Sequence, residues 1–247
     1  MRYGIFSDVH GNVEALEAVL EFYEKENIDQ YICLGDTIGY GANPNEAIRL
    51  VKKIANFVVL GNHDDAVRRR FDTFEFNLAA QQSIEWTKKV IEKELLEWLE
   101  GLGYTILLYP FIFSHGSLFN PQDFNYIFFA ENALQHISVM PKEYPISFLG
   151  HSHIPALFIY KPEEKPPVLI RDYPYEVKIE EKAKYIFNVG SVGQPRDGDN
   201  RASCAIFDTD ENIFRLYRIK YDYLKSRQKI IDAGLPSELG NRLIYGY

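Results

Sequence analysis

The sequence predicts an α/β fold, and three observations carry that reading. The first third alternates short apolar runs with amphipathic stretches in a βαβαβ rhythm, which calls for a parallel sheet covered by helices. After Gly103 the pattern changes to successive short β-runs punctuated by Pro, Gly, Asp and Asn, the mark of antiparallel meanders. The chain has 247 residues, 46% of them hydrophobic, which is enough for one large domain with a substantial core and too few for three.

The elements follow in order. YGIF at 3–6 is a strand, residues 12–26 a helix, YICL at 31–34 a strand, residues 44–55 a helix and FVVL at 57–60 a strand. Asn43 caps the second helix and Pro44 opens its first turn, where a missing N–H is no loss. Residues 66–101 hold no Pro and no Gly before Gly101, and Ile84, Val90, Ile91, Leu95, Trp98 and Leu99 recur at helical spacing, which predicts two helices. The β-rich part runs TILLY, FIFS, a short helix near 130–139, then ISFLG, ALFIY, VLI, YEVKI, YIFNV, CAIF and IFRLYRI. KPEEKPP at 161–167 reads as an exposed hairpin loop. From about 221 the chain turns helical again as a C-terminal tail, broken at Gly234-Leu235-Pro236, so the expectation is a single domain over 1–247.

Composition narrows the function. The net charge is -8, which repels a nucleic-acid backbone and makes stable nucleic-acid binding unexpected. The basic run Arg68-Arg69-Arg70 reads as a solvated helix face, with a phosphate-facing role left open by its position. No apolar stretch is long enough to cross a bilayer and the N-terminus has no signal-peptide pattern, so a soluble, cytoplasmic protein is expected. Cys33 and Cys204 lie in strand-like runs and read as buried free thiols.

The chemistry lies where strands end. YGIF leads into Ser7-Asp8-Val9-His10, YICL into Gly35-Asp36, FVVL into Gly61-Asn62-His63-Asp64, FIF into Ser114-His115-Gly116, and ISFL into Gly150-His151-Ser152-His153. In α/β sheets that edge is where sites form. Of six histidines, only His136 falls outside these clusters, so it reads as structural. Asp8, His10, Asp36, Asn62, His115, His151 and His153 make seven candidate ligands, more than one ion with open positions takes and about right for two ions sharing a carboxylate. Mixed Asp, Asn and His donors suit Mn, Fe, Co, Ni or Zn, whereas an all-oxygen set would suit Ca or Mg. Two such ions would lower the pKa of a bridging water and neutralise phosphoryl oxygens, so attack of that hydroxide on phosphorus is the expected reaction. Asn62 ligates without adding charge; His63, next to it, is the expected general acid, and Asp64 is expected to hold its ring and favour the imidazolium. Asp65 is read as the start of the following helix.

Asp8-x-His10, Gly35-Asp36, Gly61-Asn62-His63-Asp64, His115 and Gly150-His151-Ser152-His153 together resemble the calcineurin-like metallophosphoesterase superfamily, in its motif order over about residues 1–200. The resemblance implies a four-layer α/β/β/α sandwich of two mixed sheets flanked by helices. It also implies Asp8, His10 and His153 on one metal, Asn62, His115 and His151 on the other, Asp36 between them, and His63 with Asp64 as the catalytic pair. Gly39 and Tyr40 stand where the protein serine/threonine phosphatases carry an Asp-Arg pair, and Asp64 replaces a Glu, which argues against a protein phosphatase. The run 35–41 and the run 188–196 are similar to the small prokaryotic phosphodiesterases grouped with diadenosine tetraphosphatase-like proteins. The expected substrate is therefore a small phosphodiester or nucleotide. The competing readings are a non-catalytic metal-binding interaction scaffold of the same fold, against which the retained His63 argues, and a metal-dependent nuclease, against which the acidic charge argues.

Several side chains carry two open readings. Arg196 reaches substrate phosphate or pairs with Asp197 or Asp199. Tyr40 and Asn43 contact a base or sugar, or simply belong to a turn. Phe71, Phe74, Phe76, Tyr126, Phe128 and Phe129 stack a nucleobase or pack in the core, core packing being favoured.

Overall fold

The computed structural model describes residues 1–69, 74, 76–171 and 176–247. The expected β–α–β–α–β start is present as β1 (Arg2–Phe6), α1 (Val13–Glu24), β2 (Gln30–Cys33), α2 (Pro44–Ile54) and β3 (Phe57–Val58), with the three strands parallel. Asn12 caps α1 by accepting from the Ala15 N–H at 3.2 Å. Asn43 stands at the N-cap of α2, before Pro44, although its side chain makes no capping bond.

Among the described residues, 62–100 form three helices where the sequence predicts two: α3 (Asn62–Arg68), α4 (Leu78–Val90) and α5 (Lys93–Glu100). The first begins at Asn62, four residues early, so the Asn62-His63-Asp64 motif is itself a helical turn. The break between α4 and α5 has neither Pro nor Gly. Asn45, from α2, accepts from the Glu92 N–H at 3.0 Å and donates to the Val90 carbonyl at 2.9 Å, offering the backbone tertiary partners in place of helical ones. Arg70 and Phe71 lie outside the described residues.

The β-rich half supplies β4 (Thr105–Leu108), β5 (Phe111–Ser114), α6 (Ala130–Val139), β6 (Ile146–Leu149), β7 (Ala156–Lys161), β8 (Glu164–Ile170), β9 (Glu176–Lys178), β10 (Lys184–Asn188), β11 (Ala202–Asp208) and β12 (Ile213–Ile219). Two helices, α7 (Tyr223–Asp232) and α8 (Ser237–Tyr245), close the chain. The strands form two six-stranded mixed sheets, ordered β3-β2-β1-β11-β12-β9 and β4-β5-β6-β10-β7-β8. The second is not a pure meander: β5, β6 and β10 are mutually parallel, because α6 provides the crossover between β5 and β6. KPEEKPP is only partly a loop, since β8 starts at Glu164; Pro166 and Pro167 sit on this edge strand beside a register irregularity, where the ladder needs no N–H.

Alternation along the strands builds the layers. Tyr3 and Ile5 of β1 face Phe111, Phe113, Phe148 and Phe187 of the other sheet, and Phe214 stacks on Phe187 at 4.2 Å between ring centres. The outward side chains meet helices instead: Phe6, Cys33 and Cys204 pack with α1 and α2, and Ile112 and Ile186 pack with α6. The result is helix, sheet, sheet, helix, with both cysteines free and buried. The C-terminal helices dock on the same body: Ser226 donates to Asn12 at 2.8 Å, Lys229 pairs with Glu14, and Ile230, Leu235, Leu239 and Leu243 cluster with Tyr40, Ala79 and Ala80. Among the described residues no helix is long and apolar enough to cross a membrane.

His136 is fully buried away from the strand-end motifs. Its Nδ1 accepts from the Leu118 N–H at 3.1 Å, which leaves Nε2–H to donate to Ser147 Oγ at 3.0 Å. Burial, with Lys184 nearby, pushes its pKa down to about 3. Because the folded value lies below the unfolded value of about 6.5, the stabilisation from the neutral ring is full above that pH and is lost as pH falls toward 3, by up to about 1.4 kcal/mol per unit. Urea unfolding of wild type and His136→Gln should therefore show the variant's deficit shrinking between pH 7 and pH 5; an equal deficit at both would mean that His136 is not held neutral.

Candidate metal centre

The strand ends converge at one edge of the sandwich. Asp8 and His10 follow β1, Asp36 follows β2, Asn62 opens α3 after β3, His115 follows β5, and His151 and His153 follow β6. All seven expected ligand residues come together, and Asp8, His10, Asp36, His115, His151 and His153 are almost fully buried. They sort into two sets with one member in common: Asp8, His10, Asp36 and His153 converge on one point, and Asp36, His115 and His151 on another. Asn62 joins the second set, its Oδ1 3.1 Å from His115 Nε2.

The fit to cations shows in the imidazoles. Nδ1 of His10 donates to the Ile38 carbonyl at 3.0 Å, that of His115 to Leu34 at 2.7 Å and that of His153 to Gln194 at 2.5 Å. Each bond turns Nε2 inward, and on the neutral His10 and His153 rings it leaves that nitrogen a lone pair. The His10 and His153 Nε2 atoms lie 3.0 Å apart, two acceptors facing each other. A metal ion is what such a pair fits. The carboxylates ask for the same charge: burial would raise Asp36, but His115, His63 and His10 outweigh it and hold it well below its ordinary range. His115, opposed by burial but drawn by Asp36 at 3.2 Å, is pushed up to about 9.

The backbone is shaped for this convergence. Asp8, His10, Asp36, Tyr40, His151 and His153 all have φ between 50° and 67°, the left-handed region that a side chain occupies at a cost of about 1–3 kcal/mol each. The carboxylates also tie the loops together: Asp8 accepts from the His151 N–H at 3.0 Å, and Asp36 from the His63 N–H at 2.8 Å. Two glycines allow the close approach. A Cβ at Gly150 would overlap Ser7 and Asp8, and one at Gly39, where φ is +88°, would lie 2.5 Å from His63 Nδ1.

His63 is buried between Tyr40, His10 and Phe76, with ring centres 4.3, 4.9 and 4.9 Å away. Asp64 does not hold its ring, contrary to the sequence-based expectation. Its carboxylate accepts from the backbone N–H groups of Gly61, Ile38 and Thr37 at 3.2, 3.1 and 3.3 Å, and among the described residues His63 Nδ1 has no hydrogen-bond partner. The reason is the early helix start: successive side chains turn about 100° apart, and the third position of a helix reaches back to the open N–H groups at its beginning. Burial brings His63 down to about 4, only partly offset by Asp36, so its imidazole is neutral before substrate arrives.

A cavity of about 670 Å³ opens over the cluster, lined among others by Tyr40, His63, Arg69, Phe76, Asn77, Gln122, Phe124, Asn125, Tyr126 and Arg196. Arg196 pairs with neither Asp197 nor Asp199, which bind Arg218 and Arg201; it lies over the Tyr40 ring, bonded to the Tyr40 hydroxyl at 3.2 Å and to Gln194 at 2.9 Å. Asn43 does not line the cavity: its N–H bonds Gly11 and its carbonyl starts α2. Asp65 is more than a helix start, since it is buried and pairs with Arg68 at 2.5 Å and Arg69 at 2.9 Å, so these arginines are not a free solvated face. Phe76 does pack against two hydrophobic clusters, as favoured, and also faces the cavity; the preference fails for Tyr126, which faces the cavity, and for the exposed Phe74 and Phe129, while Phe71 lies outside the described residues. Gln122, Phe124 and Asn125 carried no sequence signal, because the stretch between β5 and α6 that brings them over the site has no long period, and Asn77 marks only the start of α4.

The calcineurin-like phosphoesterase superfamily domain matches residues 1–212. An uncharacterized protein of Methanocaldococcus jannaschii is 37% identical over 248 residues, covering 98% of this chain and 97% of its own length. Phosphodiesterase YfcE of Escherichia coli is 24% identical over 220 residues, 85% of this chain and 89% of that protein. The crystal structure of a metallophosphoesterase from Sphaerobacter thermophilus superposes with a TM-score of 0.88 at 35% identity, covering 100% of this chain and 99% of the other. With its two mixed sheets, their flanking helices and this match over most of its length, the chain belongs to the calcineurin-like phosphoesterase superfamily.

Proposed function

We propose that the protein is a metal-dependent phosphoesterase that hydrolyses small phosphodiesters or nucleotides. The observation that carries this reading is the pair of buried ligand sets sharing Asp36, with His10 and His153 aiming facing lone pairs inward. Asp8, His10 and His153 would hold one divalent ion, Asn62, His115 and His151 a second, and Asp36 both. Mn, Fe, Co, Ni or Zn suits such donors. When bound, the pair supplies an activated water and neutralises charge on the phosphoryl oxygens.

The chain's own groups do the rest. His63 protonates the leaving oxygen through Nε2, the ring nitrogen left open to the cavity when Nδ1 is turned against Gly39. The ring takes up a proton from water as the substrate binds, because an anionic phosphate beside it opposes the burial that keeps it neutral. Arg196, propped on Tyr40, takes a phosphate oxygen. The cavity is far larger than a phosphate group and falls within the ~300–1,000 Å³ of small-molecule sites, so a nucleoside-sized substituent fits beside Phe76 and the Asn77, Gln122 and Asn125 amides.

The test is metal content of the purified protein, followed by hydrolysis of bis-p-nitrophenyl phosphate, p-nitrophenyl phosphate and diadenosine tetraphosphate with manganese. About two ions per chain with turnover is the expected result; no bound metal and no turnover would overturn the proposal. Asp36→Asn should weaken both ions together, and a variant that retains two ions at wild-type affinity would refute the sharing. His63→Ala should lower turnover by roughly 10²–10⁴-fold on substrates with poor leaving groups while metal content stays constant, and less on p-nitrophenyl esters, whose leaving group needs little protonation. Equal losses on both substrates would rule out His63 as the acid.

A further inference from the structure

Three of the four histidines at the centre are oriented in one way and the fourth in another. His10, His115 and His153 each give Nδ1–H to a backbone carbonyl. His151 has no such carbonyl, and among the described residues nothing hydrogen-bonds to its ring. What lies against it is Tyr126, ring on ring, 3.8 Å between centres and 10° from parallel.

Tyr126 is itself held. Phe128 stacks on it at 5.0 Å and 15°. The strap that carries both is anchored at either end: the Ser117 N–H donates to the Asn125 carbonyl at 2.9 Å, and the Phe129 N–H donates to Asn132 Oδ1, at the start of α6, at 3.2 Å. Arg171 donates to the Phe128 carbonyl at 3.0 Å. Phe124, in the same strap, lays its ring edgewise toward His115 and tilted toward His151, 5.9 and 6.4 Å between centres.

We propose that Tyr126 is a positioning residue for His151: its ring does by stacking what a backbone carbonyl does for the other three histidines. The stack fixes the plane of the imidazole, and with it the direction in which its nitrogen meets Asp36 and His115. Stacking fixes no tautomer, so the ion on the His151 side is the more weakly held of the two. This rests on the two-ion reading of the site and concerns only its second half.

The test is a manganese titration of the metal-free full-length chain by calorimetry, on wild type, Tyr126→Phe, Tyr126→Leu and Phe128→Leu, with thermal unfolding of each metal-free protein. Tyr126→Phe keeps the ring and should bind both ions as wild type does. Tyr126→Leu keeps apolar bulk but no plane, and should keep the tighter ion while weakening the second by about 10–100-fold. If Tyr126→Leu does not fold, Phe128→Leu, which removes only the backing ring, should still weaken the second ion selectively. Wild-type binding of both ions in the folded leucine variants would overturn the proposal, as would equal losses in Tyr126→Phe and Tyr126→Leu, which would assign the effect to the hydroxyl. Uptake of a single ion by the wild type would overturn the two-ion reading together with this one, and is distinguishable from the other failures because it needs no variant.

Discussion

The molecule is organised around the burial of two carboxylates, Asp8 and Asp36, at the edge where two sheets meet. Anions removed from water must be compensated where they stand, and the chain surrounds them with four imidazoles, an amide and backbone N–H groups drawn from four separate strand ends. Because Asp36 also accepts from the His63 backbone, the same carboxylate fixes the distance between the ligand sets and the histidine beside them. Left-handed backbone at five of the ligand residues is the cost of bringing short loops so close, and the packed aromatic core between the sheets holds it there.

That core does not finish the site. The family domain matches residues 1–212, and α7 and α8 lie beyond it. These helices pack under Tyr40, and Arg242 of α8 reaches Gln194, the residue that also binds Arg196. One wall of the cavity therefore depends on the C-terminal helices, and the opposite wall on the strap that carries Phe124 and Tyr126. Between them His63 sits against three rings in the lining of the cavity.

Much of this was legible in the residues. The βαβαβ start showed because a helix and a strand bury their faces with different periods. The ligand clusters showed because each follows an apolar run. Other features were hidden. The α4–α5 break depends on Asn45, nearly fifty residues away, and the parallel pairing of β5, β6 and β10 depends on where α6 crosses. The expected bond from Asp64 to the His63 ring is not made because adjacency in sequence is not adjacency in space: one helical turn sends neighbouring side chains in different directions.

The sequence by itself determined the layered class, the family resemblance and the clustered residues that could hold a metal, because these depend on local periodicity and on which residue types end each strand. Only the tertiary structure decided that Asp64 braces loops rather than His63, that Arg196 rests on Tyr40 rather than on its neighbouring aspartates, and that Tyr126 lies on His151. Those relations join segments up to 156 residues apart in the chain, and they follow from how the sheets and helices pack against one another.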